Sequence, residues 1–208
     1  MIRFRAMVLD LGEVLVHPQP PELVRHMAET AAAPLPAFSA AYWAHRNEYD
    51  LRGNASRYWG EVLRDAGSAL RGAERQAAVP RLASLDAESW TQYREEVWEI
   101  ALRFRAEGGR TALLSNTGPE LIERVRSQRV TSRYFDAMVV SWEVGCCKPD
   151  PAIYRLALAR LRIPAEETLF VDDRPPNVVG AQAVGMQALL FSGPDPVSAL
   201  RERAFRAG

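Results

Sequence analysis

The sequence predicts an α/β protein built on one parallel sheet, and three observations carry that prediction. Short apolar runs without alternation recur along the chain, helical patterns separate them, and the runs end on polar residues. A run that is apolar at every position fits a strand buried on both faces, as parallel strands covered by helices are. Regular alternation of strand and helix then indicates a repeated βα unit.

The elements follow in order. Ala6-Met7-Val8-Leu9 reads as the first strand and ends at Asp10. From Pro18 to Trp90 the rhythm stops: the stretch is rich in Ala, Arg and aromatics, is helical in period and contains no convincing strand. At roughly 70 residues it is too long for one crossover. The rhythm resumes with a helix over Glu95–Ala106, stopped by Gly108-Gly109. A second strand, Thr111–Leu114, ends at Ser115-Asn116, and a helix starts at Pro119, proline being suited to a first helical turn. Ala137–Val140 is a third strand, ending at Ser141, followed by a helix over Pro151–Leu161. Thr168–Val171 is a fourth, ending at Asp172-Asp173, with a helix over Pro176–Val184 stopped by Gly185. Gln187–Phe191 is the fifth. The expected architecture is a Rossmann-like parallel sheet with helices on both faces, residues 1–17 and 91–208, carrying an inserted helical cap, residues 18–90.

Composition narrows the function. The 208 residues are 48% hydrophobic and 25% charged, with 26 basic and 26 acidic residues. Dispersed, balanced charge argues against a nucleic-acid groove. No apolar run approaches the roughly 20 residues that span a bilayer, and the N-terminus passes straight into a strand without a signal-peptide pattern. Cys146 and Cys147 are adjacent, a poor arrangement for an ordinary disulfide or a zinc site. The expected setting is the cytoplasm.

All but one of the 26 basic residues are arginine; the exception is Lys148, in the loop Gly145–Asp150. Lysine is a compact point charge that fits between a carboxylate and a phosphate, where the wide guanidinium fork does not. Ligands of open parallel sheets bind at the carboxyl ends of the strands. Asp10, Ser115, Asn116, Asp172 and Asp173 all fall at such ends, and Lys148 follows another. A carboxylate nucleophile, a hydroxyl, a lysine and two further acids suit Mg²⁺-assisted phosphoryl transfer, since Mg²⁺ takes oxygen ligands from one or two carboxylates plus phosphate. Adjacent acids such as Asp172-Asp173 repel unless a cation intervenes.

Asp10-Leu11-Gly12, Leu114-Ser115-Asn116, Lys148-Pro149 and Val171-Asp172-Asp173 resemble the four ordered motifs of the haloacid dehalogenase superfamily. The insertion after the first motif resembles the helical cap of its first subfamily. The resemblance implies that Asp10 is the nucleophile, forming an aspartyl-phosphate, and a metal ligand together with the Gly12 carbonyl and Asp172. It implies that Asp173 holds metal-bound water or Lys148. Ser115, with the Asn116 and Thr117 amides, would bind phosphate at a helix start, Lys148 would bridge Asp10 and phosphate, and Asn177 would support the acids indirectly. The implied activity is hydrolysis of a small phosphorylated metabolite, a sugar phosphate or nucleotide. The alternatives are a metal-independent 2-haloacid dehalogenase and a non-catalytic binding protein.

One departure matters. Phosphatases of this superfamily usually carry a second Asp two positions after the nucleophile to protonate the leaving group, and here that position is Gly12. Glu13, a cap carboxylate such as Glu48 or Asp50, or metal-bound water are the candidates to replace it. In the cap, Trp43, His45, Arg46, Tyr49, Asp50 and Arg52 form the most polar-aromatic cluster. Most are expected to be ordinary helix surface and core, with His45 facing the site. His17 is placed near the hinge and His26 on the surface.

Overall fold

Five strands, β1 (Ala6–Leu9), β2 (Arg110–Ser115), β3 (Ala137–Val140), β4 (Thr168–Asp172) and β5 (Gln187–Leu190), pair in the order β3-β2-β1-β4-β5. Every pair is parallel in this computed structural model, which describes residues 1–206. Successive side chains of a strand point to opposite faces, and here both faces are dry. Met7, Leu9, Leu113, Leu169 and Val171 join one buried cluster, and Ala6, Val8, Leu114 and Phe170 join another. Two buried faces explain why the strand sequences do not alternate. At the edge, β5 is only partly buried and stops at Leu190, one residue short of the run read from the sequence.

Helices α5 (Glu95–Ala106), α6 (Pro119–Gln128) and α10 (Pro196–Ala204) contribute to the first cluster, and α8 (Pro151–Leu161) and α9 (Pro175–Ala183) to the second. The proline rule holds, with α9 beginning at Pro175 rather than Pro176. A short helix, α7 (Ser141–Val144), follows β3 directly. The chain runs from β1 to β2 on one side and from β3 across to β4 on the other. The strand order therefore reverses at β1, and a crevice opens at the carboxyl ends of β1 and β4.

Between β1 and α5 lie four helices: α1 (Pro21–Thr30), α2 (Leu35–Arg52), α3 (Ala55–Asp65) and α4 (Gly72–Ser89). They share a hydrophobic cluster of their own, centred on Phe38, Tyr42, Tyr58, Trp59 and Leu63. The segments entering and leaving them run side by side. His17 N donates to Gln92 O at 2.7 Å and Arg94 N to Leu15 O at 2.9 Å, around an antiparallel bridge of Val16 with Tyr93. The His17 main chain thus sits in this two-stranded neck, while His26 is exposed on α1. No helix among the described residues is long and apolar enough to cross a membrane.

Candidate active site

The ends of β1 and β4 bring two carboxylates onto one ammonium. Lys148 Nζ lies 2.7 Å from Asp10 Oδ1 and 2.6 Å from Asp172 Oδ2, and the lysine side chain is 1% exposed. Asp10 precedes the wide turn Leu11–Leu15, closed by Val16 N donating to Leu11 O, and its Oδ1 also accepts from Leu11 N at 2.7 Å. Asp172 is fully buried and accepts from Asn177 Nδ2 at 2.9 and 3.1 Å and from Arg174 N at 2.9 Å. Asn177 therefore touches the acid cluster directly, not indirectly as expected, because the first turn of α9 places it against Asp172. It is Asp172, and not Asp173, that pairs with Lys148, because Asp172 ends the strand beside β1 while Asp173 is the next residue along the loop.

The loop after β2 differs from its expectation. Ser115 ends the strand at 2% exposure. The Asn116 side chain is spent on the backbone of Lys148, accepting from its N–H at 2.8 Å and donating to its carbonyl at 2.9 Å. Asn116 thus fixes the lysine loop from the end of the neighbouring strand β2. The Thr117 amide donates to Ser141 Oγ at 3.0 Å, and helix α6 begins only at Pro119, which has no N–H to offer. The expected anion cradle of Asn116 and Thr117 amides at a helix start is reduced accordingly, since the Thr117 donor is already engaged.

Above this crevice, α2 contributes Trp43, Asn47 and Asp50 to a cavity of about 470 Å³ shared with Asp10, Lys148 and Asp173. These three recur at helical spacing and so occupy one face of α2. His45 belongs to the other side: its ring nitrogens lie 2.7 Å from Asp65 and 3.5 Å from Glu61 on α3, away from the crevice. Glu48 likewise pairs with Arg57 at 3.0 Å, which removes it from the candidate acids. A larger groove, about 820 Å³, between α3, α4 and α6 holds none of the crevice residues. Three features escaped the sequence reading. Asn47 and Arg174 line the cavity, and Arg46, which also lines it beside Asp50, joins a buried network with Asp86 and Tyr42. Helical spacing from Trp43 pointed to Asn47; nothing local pointed to Asp86, which lies on a different helix.

The electrostatics of the crevice are unbalanced. Burial pushes the Asp10 carboxyl up to about 8; Lys148 opposes this, and Asp172 and Asp173 add to it. Burial also lifts Asp173 to about 6, with Asp172 and Glu13 acting in the same direction. Lys148 is held above its ordinary value: burial works against its charge, but Asp10 and Asp172 outweigh it. One ammonium does not neutralise three carboxylates. Asp10, Asp172 and Asp173 each offer an oxygen within 4.8 Å of the others, a hard-oxygen donor set that fits Mg²⁺.

Gly12 and Glu13 reverse the usual division of labour between glycine and other residues. Gly12 has φ −61° and ψ 129°, open to any residue, and a Cβ there would meet nothing within 4 Å. Glu13, exposed at the cavity wall, holds the left-handed φ of +53°.

Residues 4–185 match the family of haloacid dehalogenase-like hydrolases. Among curated relatives, a phosphoserine phosphatase of Thermus thermophilus is 35% identical over 86 residues, covering 41% of this chain and 34% of that enzyme. The chain spans about a third to a half of the length of several such relatives. A haloacid dehalogenase-family enzyme of Bacteroides thetaiotaomicron, solved as its magnesium complex, superposes with a TM-score of 0.74 at 18% identity, over 95% of this chain and 98% of that one. A 2-haloacid dehalogenase of Pseudomonas syringae superposes at 0.67 and 20% identity, over 96% and 97%. At these identities the two structures speak for the fold alone.

Proposed function

The chain belongs to the haloacid dehalogenase-like hydrolases, and on that premise we propose that it is a Mg²⁺-dependent phosphatase of a small phosphorylated metabolite, working in the cytoplasm. The observation that carries the reading is the excess of carboxylate in the crevice: Asp10, Asp172 and Asp173 converge, and the one ammonium of Lys148 pairs with only two of them. A metal-independent dehalogenase would not need that excess. The phosphoserine phosphatase among the curated relatives supports the same choice.

In this reading Asp10, Asp172, Asp173 and the Gly12 carbonyl would hold Mg²⁺, which would supply positive charge against the phosphate. Asp10 attacks phosphorus and becomes an aspartyl-phosphate, which water then hydrolyses. Lys148, fixed by Asn116, stabilises the transferring oxygens and keeps Asp10 oriented. Ser115 and the Asn116 amide contact the phosphate, and Asn177 with Arg174 N holds Asp172 in place. Residues 18–90 act as a cap that closes the crevice and selects the group attached to phosphate.

Phosphate release from 4-nitrophenyl phosphate, measured with Mg²⁺ and with a chelator, tests this. Hydrolysis that requires Mg²⁺ is expected. Halide release from a 2-haloacid in chelator, with no phosphate release under either condition, would establish the dehalogenase instead.

A further inference from the structure

Asp50 occupies a position its sequence context does not explain. It is 6% exposed, yet it is a cap acid on the wall of the cavity that holds Asp10 and Lys148. Its side chain and its main chain are both fixed. Asp50 Oδ1 accepts from Arg46 Nε at 2.8 Å, and Arg46 Nη1 is itself tied to Asp86 Oδ2 at 2.9 Å and Tyr42 Oη at 2.6 Å. The Asp50 carbonyl accepts from Ser141 Oγ, the same hydroxyl that receives the Thr117 amide two residues after Ser115. The adjacent Tyr49 donates to Glu120 at the start of α6. Tyr49 packs so closely on Gly118 that a Cβ there would lie 2.5 Å from its ring. The C-terminal end of α2 is thus bolted to the loop after β2.

We propose that Asp50 is the general acid and base of the reaction, taking the place of the carboxyl group that Gly12 lacks. The proposal rests on the phosphatase reading above. In the first half-reaction an Asp10 oxygen bonds to phosphorus as the bond to the leaving oxygen breaks. That oxygen keeps the electron pair and takes the Asp50 proton, leaving Asp50 as a carboxylate. In the second, water gives a proton to Asp50 as its oxygen bonds to phosphorus, and Asp10 departs as a carboxylate with inorganic phosphate released. The cycle restores both acids.

The surroundings suit this use. Burial raises the Asp50 carboxyl to about 6; Arg46 and, more weakly, Arg174 oppose the rise, and Asp86 adds to it. The groups facing it are Arg46 on its own helix, Asp86 on α4, Arg174 after β4, Tyr58 on α3 and Cys147 before Lys148. A proton affinity near the working pH is what general acid–base transfer requires. Of the other acids on the cavity wall, Asp10 and Asp173 belong to the acid cluster. Glu13 is exposed, and among the described residues nothing hydrogen-bonds its carboxylate.

The test compares 4-nitrophenyl phosphate, whose leaving group needs no proton, with ethyl phosphate, whose leaving group does. With Mg²⁺ present, Asp50→Asn should lower kcat/KM for ethyl phosphate by about 100-fold or more and for the aryl ester by less than about tenfold. In the wild type the ethyl ester should lose activity relative to the aryl ester as pH rises through the Asp50 titration, the ratio cancelling titrations that both esters share. Equal losses on both esters, or the same split in Glu13→Gln, would overturn the assignment. Should Asp50→Asn fail to fold, Ser141→Ala removes the anchor of the Asp50 main chain; it also frees the Thr117 amide, an effect on phosphate that both esters share. A weaker form of the same split is then expected, and its absence also overturns the assignment. A wild type that cleaves neither ester defeats the phosphatase reading, and this step with it.

Discussion

Two buried charge clusters face each other across the crevice, and they are built differently. In the sheet, Asp10, Asp172 and Asp173 gather around one cation, Lys148. In the cap, Arg46 joins Asp50 and Asp86, and neutral donors complete the set. Tyr42 Oη donates to Asp86 at 2.5 Å, Trp90 Nε1 reaches Tyr42 Oη at 3.2 Å, and Gln19 Nε2 binds Ser89 Oγ at 2.7 Å. Gln19 lies on the segment entering the cap, and Ser89 and Trp90 lie where it ends. The Asp86 side of the cap cluster is therefore close to saturated and ties both segments to α2, while Asp50 forms its edge on the cavity. Satisfied networks specify structure, whereas under-compensated ones are held for a ligand.

That contrast should appear as a crossed result. Asp10→Asn removes the proposed nucleophile and one of three repelling acids. Turnover should fall about 10³-fold or more, with stability to urea changed by no more than about 1 kcal/mol. Retention of more than a few per cent of wild-type activity would exclude the nucleophile role. Asp86→Ala should do the reverse in kind, because it strips Arg46 and Tyr42 of a buried partner. A loss of about 3 kcal/mol in urea denaturation is expected. If Asp86→Ala leaves stability untouched, the cap network is not the structural member of the pair.

How far this contrast could be read from the chain depends on which side of the crevice is considered. Strand ends are legible because apolar runs stop where side chains leave the sheet, so Asp10, Ser115 and Asp172 could be placed at one edge. Lys148 stood out by composition, though nothing in the sequence said that Asp172 would be its second partner. The cap resisted the same approach. Helical period shows which residues share a face, not which neighbour that face meets. His45 and Asp50 are five residues apart on α2, and packing against α3 turned the first away while the contact with α7 brought the second in. The Asp86–Arg46 pair joins helices 40 residues apart and left no local signal. Ser141 was legible only as a strand end. Its hydroxyl turned out to link the loop after β2 to the cap, which took the Thr117 amide out of the anion site.

A smaller effect separates the two cations. Arg46 uses the reach of its guanidinium, with Nε on Asp50 and Nη1 on Asp86. Lys148 places one nitrogen 2.7 and 2.6 Å from its two acids. In a chain whose other basic side chains are all arginine, Lys148→Arg would be silent if only positive charge mattered. The wider fork cannot bridge both oxygens from that point, so activity should fall by at least about tenfold, or about 1.4 kcal/mol of transition-state stabilisation. Full activity in the Arg variant would reduce the sheet cluster to a charge balance and remove its geometric role.

The smallest expected effect tests where backbone strain is stored. Arg46, Asp50 and Asp86 lie inside regular helices, so the cap cluster needs no unusual backbone. The sheet cluster does: Glu13, three residues after Asp10, holds φ +53° while its neighbour Gly12 holds φ −61°. Gly12 therefore has conformational freedom it does not use, and a methyl group there would point into open space. Gly12→Ala should stabilise the protein by about 0.4–1 kcal/mol, through the unfolded chain alone, because alanine has fewer conformations to lose. Glu13→Gly should also be neutral or mildly stabilising, since relief of the left-handed backbone offsets the added freedom of the unfolded chain. Both are read from urea denaturation without substrate. A Gly12→Ala variant that is less stable than wild type would mean that the loop visits a positive φ at residue 12, and the strain assigned to Glu13 would have to be shared between the two positions.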